Sequence, residues 1–121
     1  MLRPSWENAD LSAARRDRVH ELVSSDWTGA LKVATEISHP WYRVQSLAEV
    51  ATAAADHRVD AILEMALVEA GKDTDTYRRV AVLAWVIDAA LARDRKPFAE
   101  SILQDALTQS ATVTPMKSRA A

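Results

Sequence analysis

Two stretches of the chain repeat the same pattern of side chains 36 residues apart. Residues 43–50 read RVQSLAEV and residues 79–86 read RVAVLAWV, which gives identity at five of eight positions. A second pattern, ILxxAL, occurs at residues 62–67 and again 40 residues later at 102–107. In both patterns apolar residues return three and four positions apart, which is the spacing of one face of an α-helix. Two helices in a period of this length indicate an array of helical hairpins.

The alanine and glycine contents favour the same fold class. The 121 residues include 23 alanines and only two glycines. Alanine is the strongest intrinsic helix former, whereas the turns of strand-rich folds need far more glycine. The prediction is therefore an all-α protein, in which alanine also lets neighbouring helices approach closely. The alanines expected at such close approaches are Ala48, Ala51, Ala66, Ala84 and Ala106.

The helical patterns divide the chain into about six helices, which pair as three antiparallel helical hairpins joined by short loops. We expect a single helical-repeat domain over residues 1–110, because this length suits one hydrophobic core. Its hairpins are expected at about 9–38, 40–71 and 75–109. The apolar pattern is lost beyond residue 110, so residues 111–121 are expected to form a flexible tail.

Several residues mark where helices begin and end. Asp26 stands where a side chain caps the second helix, and Pro40 suits the first position of the third, where its missing N–H costs no hydrogen bond. Gly71 follows the fourth helix and is expected to adopt the left-handed conformation that commonly ends a helix. The fifth helix is apolar on nearly every side, which predicts a middle position in the domain.

The spacing of large and small residues resembles that of the tetratricopeptide-repeat-like α-α superhelix. The segments that carry this resemblance are Val44-x-x-Leu47-Ala48-x-x-Ala51 with Ala61-x-x-x-Met65, and Val80-x-x-Leu83-Ala84-x-x-Ile87 with Ala99-x-x-x-Leu103. Pro40 also stands where such a unit places its closing proline. The resemblance implies three hairpins stacked as a short right-handed α-α superhelix, with protein binding as the usual role and no catalytic residues. HEAT-type packing accounts for the same helix pairs.

Charge and missing residue types exclude several classes of function. The 15 basic and 17 acidic residues give a net charge of −2, without the basic surface of a nucleic-acid binder. Without cysteine there is no disulfide or thiol chemistry, and no serine lies in a G-x-S-x-G pattern. His20, His39 and His57 lack the spacing of metal ligands, and neither glycine belongs to a phosphate-binding loop. No metal or cofactor is expected.

The apolar segments are too short for a membrane span or a signal peptide. The longest, residues 80–92, is interrupted by Asp88 and is thirteen residues long, whereas a span needs about 20. Residues 1–11 contain no apolar run of the kind that signal peptides need. We therefore expect a cytoplasmic protein without membrane attachment.

Asp88 is the only ionisable residue of that apolar segment. A carboxylate buried there would need a partner or a raised pKa, and groups of this kind gather at functional sites. The structural interpretation is that Asp88 lies on exposed surface or pairs with an arginine of a neighbouring helix. Both interpretations stay open from the sequence.

Arg43, Arg78 and Arg79 lie in the first turns of helices three and five, where the positive end of the helix dipole disfavours a cation. In the structural interpretation, each guanidinium binds the last carbonyls or an acidic residue of the preceding helix, with Glu36 and Glu69 as the expected acids. In the functional interpretation, the three arginines line a groove for an anion or an acidic peptide. The recurrence of an arginine at the same place in both units favours the structural role.

The aromatic residues Trp41, Tyr77 and Trp85 are candidates for partner contacts, since tryptophan and tyrosine are enriched at interaction hot spots. Trp41 and Tyr77 stand at comparable points of their units, at the entrances of the hairpins. Trp85 aligns with Glu49, a position expected to face solvent. It is therefore expected either to pack under helix six or to present its ring to a partner.

These features favour a protein-interaction module or small scaffold of the helical-repeat type over an enzyme. We expect a protein or peptide partner, including a second copy of the chain. Helix six ends in Leu103, Ala106 and Leu107 with little behind them to cover an open end, which predicts a homodimer through the C-terminal hairpin. Trp85 or Phe98 is expected in the seam of this dimer.

The alternative is a small helical enzyme or ligand-binding protein with a pocket between helices three and five. Asp88 would act there as acid or base, an arginine would hold an anion, and Trp85 would form an apolar wall. An unusually deep apolar cavity beside Asp88 favours this alternative, whereas a filled core with Asp88 paired favours the scaffold.

Overall fold

Six α-helices make up the part of the chain that the structure describes. The structure is a computed structural model that describes the backbone of residues 5–120 and the side chains of residues 11–108. The helices are α1 (Ser5–Leu22), α2 (Trp27–Thr35), α3 (Pro40–Ala53), α4 (Asp56–Ala70), α5 (Thr76–Ala92) and α6 (Lys96–Ala120). Residues 5–120 contain no strand, so the all-α prediction is confirmed.

The predicted starts of two helices are confirmed. Asp26 caps α2, because its Oδ1 accepts a hydrogen bond of 3.0 Å from the backbone N–H of Gly29. Pro40 is the first residue of α3. Asp75 caps α5 in the same way as Asp26 caps α2, by accepting a 3.0 Å hydrogen bond from the N–H of Arg78. A carboxylate at this position binds backbone N–H groups that have no partner within the helix.

The expected left-handed conformation of Gly71 is wrong. Gly71 has a φ of −68° and a ψ of −14°, which continues the right-handed helical conformation. The N–H of Gly71 still reaches the carbonyl of Leu67, and the N–H of Lys72 reaches that of Glu69, so the last turn closes without a reversal of φ. The described non-glycine residue with positive φ is Asp94, at 59°, in the short turn between α5 and α6.

The helices contact one another in chain order. α1 packs on α2, α3 on α4 and α5 on α6, and α3 also contacts both α1 and α5. Since α3 touches α1, α2, α4 and α5, it holds the middle position that the sequence analysis expected for the fifth helix. α5 contacts α3, α4 and α6, and one of its faces stays open.

The hydrophobic core lies around α3 and α4. Its fully buried aliphatic side chains include Val44, Leu47, Val50, Val59, Ile62, Leu63 and Val86. Four of the alanines expected at close approaches, Ala48, Ala51, Ala66 and Ala106, are buried. Ala84 is exposed, because no further helix packs on the face of α5 that corresponds to the face of α3 holding Ala48.

Two helices extend beyond the predicted hairpin limits. α1 begins at Ser5, and the backbone of α6 stays helical to Ala120. The side chains of residues 109–121 lie outside the described residues, so the flexibility expected of residues 111–121 stays a prediction. None of the helices described over residues 5–120 has the length and apolar character that crossing a bilayer requires.

Candidate functional site

An open cleft of about 590 Å³ lies along the side of the protein formed by α1, α3 and α5. Its lining residues are Arg16, Asp17 and His20 of α1, Gln45, Ala48, Glu49 and Thr52 of α3, and Trp85, Asp88, Ala89 and Ala92 of α5. Ligand pockets have volumes of about 300–1,000 Å³. The alternative derived from the sequence placed a pocket between helices three and five around Asp88, and the cleft lies at that place.

The repeated sequence pattern accounts for the similar faces that α3 and α5 turn toward the cleft. Glu49 and Thr52 of α3 are the equivalents of Trp85 and Asp88 of α5, 36 residues later. Side chains three and four positions apart share one face of a helix, so each helix presents one row to the cleft. The walls formed by α3 and α5 therefore come from equivalent positions of the sequence pattern, which carry different side chains on the two helices.

His20 and Glu49 join α1 to α3 across the cleft. The His20 Nδ1 lies 2.6 Å from the Glu49 Oε2, although the imidazole itself is well exposed. The hydrogen bond with Glu49, and next the negative charge of that carboxylate, raise the pKa of His20 above its ordinary value. Asp17 and Glu21 of α1 act in the same direction with smaller effects.

We predict that replacing Glu49 lowers the pKa of His20. In Glu49→Gln the amide carries no charge, so the imidazole should titrate closer to the ordinary value of about 6.5. Since the pKa is raised in the folded state, the stabilisation from this pair is complete below the unfolded-state value and is lost as pH rises through the raised pKa. NMR titration of the His20 ring signals measures this change.

Asp88→Asn is the matched control for that titration. It removes a carboxylate from the same cleft that does not contribute to the raised pKa of His20. The His20 pKa should therefore stay close to its wild-type value in this variant. An unchanged His20 pKa in Glu49→Gln would contradict the prediction.

Asp88 is exposed on the rim of the cleft. It forms neither a hydrogen bond nor an ion pair with the side chains described over residues 11–108. The buried carboxylate considered from the sequence is therefore wrong, because the face of α5 that carries Asp88 is open. The exposed-surface interpretation is confirmed, and it leaves the carboxylate available to a ligand.

Trp85 packs edge-to-face against Trp41, with ring centroids 5.1 Å apart and an interplanar angle of 90°. Both rings are partly buried against the hydrophobic core. The two tryptophans thus join α3 to α5 and hold the Trp85 ring as one wall of the cleft. Packing under helix six, expected as one alternative, is replaced by packing on Trp41.

Arg43 and Arg79 bind equivalent backbone carbonyls. The Arg43 Nη1 donates to the carbonyl of Ile37, and the Arg79 Nη1 to that of Asp73, in each case six residues earlier in the chain. The Arg43 Nε also lies 3.6 Å from the carboxylate of Glu69, which is itself buried. These contacts favour the structural interpretation of the paired arginines, in which the cation offsets the unfavourable dipole by binding carbonyls.

The acid that pairs with Arg43 is not on the preceding helix. Glu69 belongs to α4, the helix that follows Arg43, and it also pairs with Lys72 at 3.1 Å. Glu36 instead offers its backbone carbonyl to Arg15 of α1. The ion pair of Arg43 therefore lies between α3 and α4, whereas its hydrogen bond to Ile37 reaches the segment before α3.

Arg78 and Tyr77 differ sharply in their surroundings. The Arg78 guanidinium donates to both carboxylate oxygens of Asp73, at 3.2 and 3.3 Å. Tyr77 is 73% exposed. Neither residue lines the cleft, and Arg43 and Arg79 are also outside its lining. The arginine of the cleft is Arg16, which the sequence analysis did not single out.

Apart from Asp88, sequence reasoning missed the polar side chains that line the cleft: Arg16, Asp17, His20, Gln45, Glu49 and Thr52. Helix one fits no copy of the repeat, so nothing in the internal comparison marked Arg16 or His20 as neighbours of α3. The one sequence feature that could have indicated a cleft residue on α3 was the alignment of Glu49 with Trp85. The described residues contain no group of three histidine, cysteine, aspartate or glutamate side chains arranged to hold a metal ion.

Comparisons with protein-family models, with curated proteins and with solved structures find no match for this chain. The tetratricopeptide-like architecture therefore stays a prediction from internal pattern.

Proposed function

We propose that the protein is a helical-repeat interaction module, built as three stacked hairpins of a short right-handed α-α superhelix. The chain-order contacts of the six helices support this arrangement. The equivalent carbonyl contacts of Arg43 and Arg79 support a common unit in the second and third hairpins. In this proposal the module associates with a second copy of itself.

The observation that carries the proposal is an apolar end face on the C-terminal hairpin. The end face consists of Tyr77, Ala84 and Leu91 on α5 and Leu103 and Leu107 on α6, all of which are exposed. The members on each helix are spaced so that they share one side of it: seven residues apart on α5 and four apart on α6. Exposed apolar patches of this kind mark interaction sites.

The internal repeat indicates what the end face is built to contact. Leu63 is 0% exposed in the second hairpin, whereas its equivalent Leu103 is 47% exposed in the third. Ala48 is buried, whereas its equivalent Ala84 is exposed. α5 contacts both α3 and α4, the helices that carry Ala48 and Leu63. The end face therefore matches a surface that accepts another helical hairpin.

A second copy in tail-to-tail orientation is the occupant that fits this face best. At the other end of the protein, α1 exposes charged side chains, including the Arg18–Glu21 ion pair at 3.2 Å. Head-to-tail association would bury those charges against leucines, at a cost in desolvation. Tail-to-tail association buries apolar surface from both copies and closes as a symmetric dimer.

The seam differs from the sequence-based expectation in its residues. Trp85 and Phe98 were expected there, but both are partly buried against the core of their own chain. A second copy would then cover the large exposed side chains of the end face, which are Tyr77, Leu91, Leu103 and Leu107.

Sedimentation equilibrium tests the proposal. At concentrations of micromolar and above, the wild-type protein should have twice the 13.3 kDa mass of one chain. The double variant Leu103→Glu/Leu107→Glu should sediment as a monomer, because four glutamates would face one another across the seam. Far-ultraviolet circular dichroism confirms that the variant keeps its helices.

Val68→Glu is the matched control, because Val68 is also a well-exposed aliphatic residue but lies on α4, outside the end face. It should leave the dimer intact. A wild-type protein that stays monomeric at high concentration would contradict self-association. A dimer that survives the double leucine variant would contradict the proposed seam.

The cleft carries a second candidate function, ligand binding between helices three and five. The specific observation is that Asp88 and Trp85 line one cleft of suitable size, as the alternative from the sequence requires. That alternative also requires an arginine that holds an anion. Among the described residues, Arg43, Arg78 and Arg79 do not line the cleft, because their guanidinium groups bind carbonyls and carboxylates elsewhere. The chemistry of the cleft itself identifies a different class of ligand.

A further inference from the structure

Carboxylates are the most numerous charged groups that line the cleft. Asp17, Glu49 and Asp88 reach it from three different helices, against the single permanent cation of Arg16. That cation is already engaged, because its Nη2 lies 3.1 Å from Asp17 and its guanidinium lies 4.9 Å above the ring of Tyr42. The cleft therefore has an excess of negative charge.

The excess negative charge is located at Asp88. Glu49 is held by His20, whereas Asp88 has no partner among the described side chains of residues 11–108. A carboxylate at the edge of an open cleft attracts a cation, and this attraction is stronger where the surroundings exclude water. An anionic ligand would be repelled by the same groups.

The remaining walls suit an aliphatic stem that ends in the cation. Ala48, Ala89 and Ala92 line the cleft, and the ring of Trp85 forms a further wall held in place by Trp41. Aliphatic side chains pack on such surfaces, and a cation is attracted to the face of an indole ring.

We propose that the cleft between α1, α3 and α5 binds a lysine or arginine side chain of a peptide partner. The aliphatic stem lies against the alanines and Trp85, and the cationic end faces Asp88. This ligand has the opposite charge to the acidic peptide considered from the sequence. The cleft shares no lining residue with the end face, but Asp88 lies on the side of α5 that also carries Ala84 and Leu91, so binding is compared in the wild type and in a monomeric variant.

NMR titration with short peptides tests this inference. The probe is a blocked pentapeptide with a central lysine between glycine and alanine residues, and its partner peptide carries norleucine in place of lysine. We expect the lysine peptide to shift the Trp85 indole N–H signal and the amide signals of Ala89 and Ala92. The norleucine peptide keeps the stem but lacks the charge, so it should bind at least tenfold more weakly.

Two variants locate the binding. Asp88→Asn should weaken the lysine peptide at least tenfold and leave the norleucine peptide unaffected, because only the charge attraction is removed. Asp105→Asn makes the same change on an exposed carboxylate of α6 outside the cleft and should have little effect. The monomeric variant Leu103→Glu/Leu107→Glu should bind the lysine peptide like the wild type, which separates this result from that of the dimer.

Three results would overturn the inference. Equal binding of the lysine and norleucine peptides would show that the cationic end contributes nothing. Undiminished binding of the lysine peptide by Asp88→Asn would place the cation elsewhere. Binding of spermine, a free polyamine, without binding of either a lysine or an arginine peptide would assign the cleft to a small molecule instead of a peptide.

Discussion

Leu63→Ala should destabilise the protein by about 2–5 kcal/mol, whereas Leu103→Ala should cost less than about 1 kcal/mol. The two leucines are equivalent in the ILxxAL pattern, and both lie on helices. The changes in helix propensity and in side-chain volume are therefore the same. Only burial differs, since Leu63 is fully buried and Leu103 is about half exposed. A cavity forms in the first case and not in the second.

Urea unfolding followed by circular dichroism at 222 nm measures both free energies. The experiment is run at a protein concentration low enough for the monomer, because a dimer formed through the end face would add to the cost of Leu103→Ala. At higher concentration that cost should rise while the cost of Leu63→Ala does not. Equal losses at low concentration would mean that the third hairpin is packed like the second.

The helical architecture could largely be predicted from the sequence. The repeated pattern located the helices of the second and third hairpins, and Asp26 and Pro40 marked where α2 and α3 begin. These features are local, since apolar spacing and capping depend on residues a few positions apart. The equivalent arginines at positions 43 and 79 were favoured as structural, and both indeed bind backbone carbonyls.

The state of the last hairpin could not be predicted from the same pattern. Identical residues at equivalent positions predict equal burial. This prediction is correct only where the same faces of both hairpins are covered by neighbouring helices. Ala84 and Leu103 lack the neighbour that covers Ala48 and Leu63, so the pattern predicted burial for Ala84 where the structure has exposure. Whether a further helix packs on a given helix face decides this burial, and no local signal in the sequence reports it.

Only the part of the cleft that α5 forms could be predicted from the sequence, for a related reason. Trp85 and Asp88 stood out as departures from the repeat, and both line the cleft. Its other half comes from α1, which matches no unit of the repeat. The proximity of His20 to Glu49, 29 residues apart in the chain, depends on how α1 packs against α3. Tertiary packing of this kind has no signature in one sequence.

Arg93→Met should cost about 1.5–3 kcal/mol, which is the usual range for hydrogen bonds to a charged group. The mostly buried Arg93 donates through Nη1 to the carbonyls of Ala51, Thr52 and Ala54, at 3.2, 3.3 and 2.7 Å. These carbonyls lie at the C-terminal end of α3, where helical partners are missing and the dipole favours a cation. Methionine keeps a long aliphatic stem but leaves the carbonyls without a donor.

Arg95→Met is the control for that measurement. Arg95 is as well covered as Arg93 and donates to two carbonyls, those of Arg93 at 2.7 Å and Asp56 at 3.3 Å, against the three that Arg93 binds. Its ion pairs are with Asp56 and Asp60, both largely exposed, at 3.1 and 2.8 Å. Exposed pairs of this kind contribute up to about 1 kcal/mol and weaken with salt. Arg93→Met should therefore lower the free energy of unfolding in urea more than Arg95→Met does. This difference should persist at about 1 M salt, where the Debye length falls to about 3 Å. Because Arg93 lies in the turn after α5 and binds the end of α3, a small loss would mean that the second and third hairpins are joined by their apolar contacts alone.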